Sequence, residues 1–270
     1  MVGRRKVVRW SSRALSIAAA LAAVWLSSAA VSGQEVPAGL RCLSEAYPRS
    51  LCEVTPTELV WCDGERMVYR SERSAAGDGP ALSGVSLEAQ MATPYPMSWT
   101  QTSTPEAGSD PGRARHEPFF KKMYGASARD VAANTAKVRW LDGKWLRVTT
   151  VNGVNEKLEA VVAEVRKLPP ALRARVTKSS GTFVWRQIKG TDRLSMHSFA
   201  IAIDVGVEHS DYWRWSKRKG ALEYRNRIPI EVVEIFEKHG FIWGGKWYHF
   251  DTMHFEYRPE LLVSGCASGG

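Results

Sequence analysis

The sequence is poor in cysteine and contains no C-x-x-C pair. Its 270 residues include four cysteines, Cys42, Cys52, Cys62 and Cys266, and paired cysteines are the usual ligands of structural zinc. We therefore expect no cysteine-based metal site. Cys52 and Cys62 flank the segment CEVTPTELVWC, which is typical of a short hairpin, so we predict a disulfide between them. Cys42 would then pair with Cys266.

The sequence also offers no secure membrane span. The apolar stretch ALSIAAALAAVWL near the N-terminus has thirteen residues, which is short for a transmembrane helix. Basic residues precede it and the small residues SSAAVSG follow it, so residues 1–33 are predicted to be a secretory signal. The alternative is an uncleaved anchor, which would be the chain's membrane contact. We expect an exported, periplasmic or cell-envelope protein.

The part of the chain that would remain after export has no large excess of positive charge. Residues 1–33 hold five basic and no acidic side chains, so without them the net charge falls from +9 to about +4. This excess is too small to predict nucleic-acid binding, although it suits an anionic polymer such as a cell wall. The composition predicts no particular oligomeric state.

The chain lacks internal repeats and regular alternation of helices and strands. Residues 34–75 are predicted to form a small β-rich element, 76–116 a linker or long loop, 117–263 the main domain and 264–270 a C-terminal tail. Mixed elements without alternation favour the α+β class. We expect a single main domain with a small antiparallel sheet flanked by helices, plus the β-rich N-terminal extension.

Several segments have clear local patterns. NEKLEAVVAEVRKLP has apolar residues at three- and four-residue steps and ends at a proline, which predicts an amphipathic helix. PIEVVEIFEKHG begins with proline and ends with glycine, which predicts another helix. SARDVAANTAKV is also predicted to be helical. The segments KWLRVTTV, FAIAIDV and HFEY are predicted to be strands.

Two phrases, RLSMHSFAIAIDVG and FIWGGKWYHFDTMHFEY, combine histidine and aspartate with apolar residues. His197 and Asp204 are seven apart, an odd spacing that places them on opposite faces of a straight strand, so the chain must bend for both to reach one ion. Together with His254 they would supply three ligands without thiolate, as in a catalytic zinc site. Two structural interpretations stay open: the histidine is a core residue whose ring nitrogens are hydrogen-bonded, and Asp204 caps the end of a strand. A non-haem iron triad is set aside because its first histidine and acid usually lie nearly adjacent.

The phrases S-M-H-S-F-A-I-A-I-D and G-F-I-W-G-G-K-W, followed by D-T-M-H-F-E, resemble the zinc D-alanyl-D-alanine carboxypeptidases. That family also includes L-alanyl-D-glutamate endopeptidases, and the D-x-x-H form resembles this endopeptidase branch. The resemblance runs from about Glu117 to Leu262. It implies that 117–263 is a zinc peptidase domain.

Site roles follow from this resemblance by position. His197, Asp204 and His254 match the zinc ligands, and Asp251 matches the general base. Arg186 matches an arginine that would hold a substrate carboxylate or carbonyl oxygen. The family usually has glycine three residues after the first histidine, where this chain has Ala200; we expect Ala200 to keep a negative φ, because alanine fits the bend only then.

Further residues near the phrases are candidates for supporting roles. Ser195 is predicted to support His197 by hydrogen bonding, and Glu256 to orient His254. Trp247 and Tyr248 are predicted to line a peptide groove, with core packing as the open alternative. His249 is predicted to be a rim or packing residue.

The resemblance implies an exported zinc peptidase that hydrolyses peptide bonds in peptidoglycan stem peptides. The bond would be either that of D-Ala-D-Ala or that of L-Ala-D-Glu. Zinc would lower the pKa of water to about 7, and a carboxylate would take its proton. The alternative is a non-catalytic wall-binding protein that keeps the fold, although such a protein need not keep a base.

Overall fold

The structure is a computed structural model that describes residues 1, 3, 35–70, 84–218 and 221–265. The predicted signal segment, apart from Met1 and Gly3, and Cys266 lie outside the described residues. The described residues from Glu35 onward belong to one compact unit. No helix among the described residues has both the length and the apolar character that a membrane crossing requires.

Short helices and strands are mixed along the chain, as the predicted elements led us to expect. The helices are α1 (Ala38–Ala46), α2 (Leu87–Met91), α3 (Glu117–Tyr124), α4 (Ala128–Ala133), α5 (Val154–Val165), α6 (Pro170–Ala174) and α7 (Ile230–Lys238). The strands are β1 (Leu51–Val54), β2 (Glu58–Trp61), β3 (Arg66–Val68), β4 (Thr135–Arg139), β5 (Trp145–Thr149), β6 (Ser179–Gly181), β7 (Ala202–Val205), β8 (Lys217–Arg218), β9 (Ala221–Leu222), β10 (Phe241–Trp243) and β11 (His254–Tyr257). The α+β class is confirmed.

A four-stranded antiparallel sheet of order β10-β11-β7-β6 forms the centre of the main domain. Side chains alternate between the faces of a strand. Phe255 of β11 therefore points to one face, where its ring stacks on Phe236 of α7 with centroids 3.9 Å apart. His254 and Glu256 occupy the opposite face, together with Asp204 and Ala202, their partners in the register of β7.

The predicted strand at residues 199–205 is shorter than expected. A 3₁₀ turn occupies Met196–Phe199, and β7 begins only at Ala202. The change of direction takes place at Ala200, whose φ is +55°, so the expectation of a negative φ at this alanine was wrong. Left-handed backbone costs about 1 kcal/mol or more for a residue with a Cβ, a cost that packing of the completely buried Ala200 must offset.

The predicted helix in SARDVAANTAKV ends early. Helix α4 stops at Ala133, and Thr135–Arg139 instead forms β4, which pairs with β5 in antiparallel register. Thr135 and Val138 are β-branched, and such residues favour a strand when a partner strand is available. The predicted helices at α5 and α7 and the predicted strands at β5 and β11 are confirmed.

The N-terminal element contains the predicted β-structure, with α1 in front of it. Strands β1, β2 and β3 form an antiparallel sheet, and the predicted disulfide joins Cys52 to Cys62 across the β1–β2 hairpin. The pairing of Cys42 with Cys266 stays a prediction, because Cys266 lies outside the described residues.

The segment predicted to be a linker packs against the rest of the unit wherever the structure describes it. Tyr95 is completely buried; its hydroxyl donates to Glu237 of α7 and accepts from the backbone N–H of Trp243 at 2.9 Å. Residues 84–116 are thus held by the main domain at specific points. The domain boundaries at 75/76 and 116/117 stay predictions about organisation along the chain.

Candidate metal centre

Three side chains from the two phrases converge on one point. Asp204 Oδ1 lies 3.2 Å from His197 Nε2 and 3.0 Å from His254 Nδ1. One ligand atom from each residue lies within 4.8 Å of the others. Two imidazole nitrogens and a carboxylate oxygen at such separations can hold a divalent cation.

Local structure explains this convergence. The antiparallel register of β7 and β11 places Asp204 directly opposite His254. The 3₁₀ turn and the left-handed Ala200 reverse the direction of the chain before β7, so His197 returns to the same face despite its odd spacing from Asp204. The bend that the spacing requires is therefore present.

Each histidine is fixed by a hydrogen bond through its other ring nitrogen. His197 Nδ1 donates to the backbone carbonyl of Thr182 at 2.6 Å, and His254 Nε2 lies 2.9 Å from Glu256 Oε2. Such bonds select the tautomer and orient the free nitrogen toward a metal. The sequence predicted that Glu256 orients His254. It could not predict the contact of Thr182 with His197, because that contact uses a backbone carbonyl, which every residue has.

The ionisable groups of the centre shift one another's pKa values. Burial alone would raise the pKa of Asp204, but the imidazoles of His197 and His254 outweigh it and hold the pKa well below its usual range. Burial would lower the pKa of His254, but its hydrogen bonds to Asp204 and Glu256 raise it to about 10. Metal binding requires neutral His254, so its affinity depends on pH.

Glu256 belongs to a buried network of charges. Its side chain is completely buried; Oε2 lies 2.6 Å from Arg115 Nη2 and Oε1 lies 3.1 Å from Arg258 Nη1. Burial would raise the pKa of Glu256, but Arg115, His254 and Arg258 lower it well below its usual range. Arg258 also pairs with Glu260, which accepts a hydrogen bond at 2.6 Å from Tyr47, the residue that follows α1. The N-terminal element is thereby connected to the residues behind His254.

Asp251 lies at the edge of the centre without an internal partner for one of its carboxylate oxygens. The backbone fixes it: its N–H donates to the carbonyl of Gly244 at 2.9 Å, and its own carbonyl accepts from the N–H of His254 at 3.1 Å. Oδ1 is buried and has no hydrogen-bond partner among the described residues. Burial raises the pKa of Asp251 to about 6, which favours proton transfer near neutral pH.

The centre opens into a pocket of about 170 Å³. Its walls include Arg186, Ser195, Trp247 and His249 besides the three candidate ligands and Asp251. The Trp247 ring lies 5.6 Å from that of His254, centroid to centroid.

Arg186 and Ser195 are held by backbone contacts. Arg186 is exposed, and its carbonyl accepts from the N–H of Ser195 at 3.0 Å. The Ser195 carbonyl accepts from the N–H of Ser198 at 2.8 Å. Ser195 thus contributes to the loop that carries His197 through its backbone.

Tyr248 and His249 point to different surroundings. Tyr248 does not line this pocket; it borders a separate cavity with Tyr224 and Phe250. His249 lines the wall of the metal pocket, and its Nδ1 lies 2.6 Å from Asp110 Oδ2. A position on the wall agrees with the expectation of a rim residue.

Sequence reasoning missed most of the cationic wall of this pocket. The missed basic residues are Arg113, Arg115, Lys189, Arg193 and Arg214. Two of them lie in GRAR, a stretch inside the Gly- and Pro-containing segment that was predicted to be a linker. Arg214 belongs to the segment SDYWRWSKRKG, whose mixture of aromatic and basic residues is a detectable signal.

Comparison with known proteins gives one result that bears on the site. No curated protein matches the chain. The model of one protein family, described as D-alanyl-D-alanine carboxypeptidase, matches residues 189–257. This range contains the three candidate ligands and Asp251, and it ends inside the Glu117–Leu262 range over which the motifs suggested a resemblance. Residues 189–257 are thus similar to the family described as D-alanyl-D-alanine carboxypeptidase.

Proposed function

We propose that the protein is an exported, zinc-dependent peptidase that hydrolyses peptide bonds in peptidoglycan stem peptides. The convergence of His197 Nε2, Asp204 Oδ1 and His254 Nδ1 within 4.8 Å carries the proposal. The family match over the same residues supports it. The disulfide between Cys52 and Cys62 supports export, because disulfides persist in oxidising compartments.

The donor set fits zinc. Two imidazoles and one carboxylate are the type and number of protein ligands found in catalytic zinc sites. His197 and His254 are both oriented from behind by hydrogen bonds to oxygen atoms, as ligands of such sites usually are. When bound, zinc would polarise the scissile carbonyl and lower the pKa of water to about 7.

Asp251 would act as general base and then as general acid. Its Oδ1 is buried beside the centre and free to accept a proton, since no described group bonds to it. A raised pKa lets the same carboxyl take a proton from water and return it to the leaving amine. Hydrogen bonds to Gly244 and His254 fix the backbone of Asp251, which carries the carboxylate.

Arg186 and Trp247 would position the peptide. Arg186 is exposed on the pocket wall, where a guanidinium can bind a substrate carboxylate or carbonyl oxygen with two parallel hydrogen bonds. Trp247 offers an apolar surface next to His254. A peptide held between them would place a backbone carbonyl near the three ligands.

Digestion of purified sacculi tests the proposal. The zinc-loaded protein should release fragments whose masses identify the scissile bond as D-Ala-D-Ala or L-Ala-D-Glu, and chelation should stop the release. The His254→Ala variant should be inactive, whereas His209→Ala removes a histidine that does not line the pocket and should leave release unchanged. If the zinc-loaded protein released neither free D-alanine nor peptide fragments, the result would contradict the proposal and favour a wall-binding protein.

A further inference from the structure

We infer that Arg113, Arg115 and Arg193 form an anion subsite beside the metal centre, and that this subsite binds a second carboxylate of the substrate. The inference rests on the proposed peptidase function. It adds that the preferred peptide carries two negative charges: one bound by Arg186 and the other bound by these three arginines.

The pocket has a marked imbalance of charge. Six basic side chains line it, against two carboxylates, those of Asp204 and Asp251. Both carboxylates belong to the proposed catalytic centre, and a divalent cation there would add two more positive charges. A pocket of this composition attracts anions and raises their local concentration.

The three arginines are close to one another. Arg193 Nη1 donates to the backbone carbonyl of Arg113 at 3.1 Å. Burial and then the charges of Arg115 and Arg113 lower the pKa of Arg193 to about 10. Burial also lowers the pKa of Arg115, and Arg113 contributes to that shift. Neighbouring like charges disfavour one another's charged forms, and a bound anion would relieve that repulsion.

The internal partners of these arginines do not use all of their donors. Arg115 is about nine-tenths buried and donates through Nη2 to Glu256, yet its Nε is buried without a partner among the described residues. Arg193 Nε is also buried and unpartnered there. Within the described part of the chain Arg193 has no ion pair, although Asp192 and Glu117 act on it at longer range. Such donors are costly unless a ligand or water satisfies them.

The subsite lies next to the centre and extends away from it. The Arg113 guanidinium lies 5.7 Å from the Trp247 ring, which in turn neighbours His254. Arg115 and Arg193 also border an adjoining cavity of about 310 Å³. A peptide could therefore place its scissile bond at the three ligands and a side-chain or branch carboxylate between the arginines.

Arg113 and Arg115 are both partly compensated by internal partners, Arg115 by its ion pair with Glu256. Arg113 Nη1 lies 3.9 Å from Asp110 Oδ1 and donates to the carbonyl of His249 at 3.0 Å. Arg193 is therefore the better residue to change, since its replacement breaks no ion pair among the described residues.

Three synthetic stem peptides of identical sequence test the subsite. One has a free glutamyl α-carboxylate and a free C-terminus, the second has the glutamyl carboxylate as a carboxamide, and the third has an amidated C-terminus. Isothermal titration of the metal-free protein gives dissociation constants without turnover. Amidation of the glutamyl carboxylate should weaken binding at least about tenfold, as expected for a lost charge-assisted hydrogen bond.

The Arg193→Gln variant should reduce this tenfold preference to about threefold or less and leave the effect of C-terminal amidation unchanged. Arg193→Lys should retain part of the preference, and Arg139→Gln, a change of an exposed arginine outside the pocket, should retain all of it. Melting temperatures of all variants separate loss of binding from loss of folding. An equal preference in wild type and Arg193→Gln, or none in wild type, would overturn the subsite.

Cleavage of the same peptides by the zinc-loaded protein separates the two proposals. If no peptide is cleaved but the preference persists in binding, the peptidase function fails and the subsite stands. If all three are cleaved and bound equally well, the peptidase function stands and the subsite fails.

Discussion

Replacing Glu256 with glutamine removes a buried negative charge that three cationic or imidazole groups share. His254, Arg115 and Arg258 all lie within 3.1 Å of its two oxygens, and the side chain is completely buried. Removing one partner of such a network costs about 3–5 kcal/mol, because the remaining charges stay buried without compensation. For a domain of this size we expect Glu256→Gln to lower the melting temperature by about 6 °C or more.

The same change should weaken metal binding, because the hydrogen bond behind His254 loses its charge. Loss of such a contact typically costs 10- to 100-fold in metal affinity. Calorimetry of the metal-free protein measures stability, and competition with a chromophoric chelator measures zinc affinity. Glu88→Gln serves as the control: it breaks an exposed pair with Arg70, for which we expect less than about 1 kcal/mol. A Glu256→Gln variant as stable as this control, with unchanged zinc affinity, would refute the reasoning.

Three further changes have definite expected outcomes. Burial would raise the pKa of Asp142, but hydrogen bonds from Ser179 and Lys144 outweigh it and lower the pKa. The ionised carboxylate therefore stabilises the folded state above its ordinary pKa of about 3.8, and this stabilisation is lost as the pH falls. Asp142→Asn should therefore cost about 1 kcal/mol in urea unfolding at pH 7 and progressively less below pH 4. Ala200→Val places a β-branched residue at a φ of +55° in a fully buried site, so unfolding measurements should show a loss of about 2 kcal/mol or more, and full stability would contradict the backbone assignment. Replacing both Cys52 and Cys62 with serine removes the disulfide between residues 10 apart in the sequence. Thermal unfolding should then show a loss of about 2–3 kcal/mol of stability, whereas an unchanged melting temperature would mean that the disulfide does not stabilise the fold.

The sequence predicted which residues meet at the centre better than it predicted their surroundings. His197, Asp204 and His254 could be named because they match, by position, the zinc ligands of the family that the two phrases resemble, and the structure brings the three side chains together. The need for a bend before β7 followed from the odd spacing of His197 and Asp204. The conformation that makes the bend could not be predicted from the sequence. A left-handed alanine is unfavourable locally, and only tertiary packing around the buried Ala200 holds it.

The surroundings depend on contacts between distant parts of the chain, which single-sequence patterns do not encode. Arg115 and Tyr47 are joined to the site through Glu256, Arg258 and Glu260. Their segments were predicted to be a linker and part of a separate β-rich element, since neither has helical or strand periodicity that points to the main domain. The early end of α4 has a similar cause. The residues after it form β4, which is stabilised by pairing with β5, and this pairing cannot be read from the local sequence.

In the proposed mechanism, Asp251 transfers protons at a metal that His197, Asp204 and His254 hold. Asp251→Asn keeps the size of the side chain and removes its basicity, and its backbone contacts to Gly244 and His254 can stay intact. Zinc content, melting temperature and turnover on peptidoglycan fragments should be measured on one preparation of this variant. We expect one zinc per chain, a melting temperature equal to that of the wild type, and turnover reduced about 100-fold or more. Turnover near that of the wild type would remove Asp251 from the mechanism, and loss of zinc would make it a ligand.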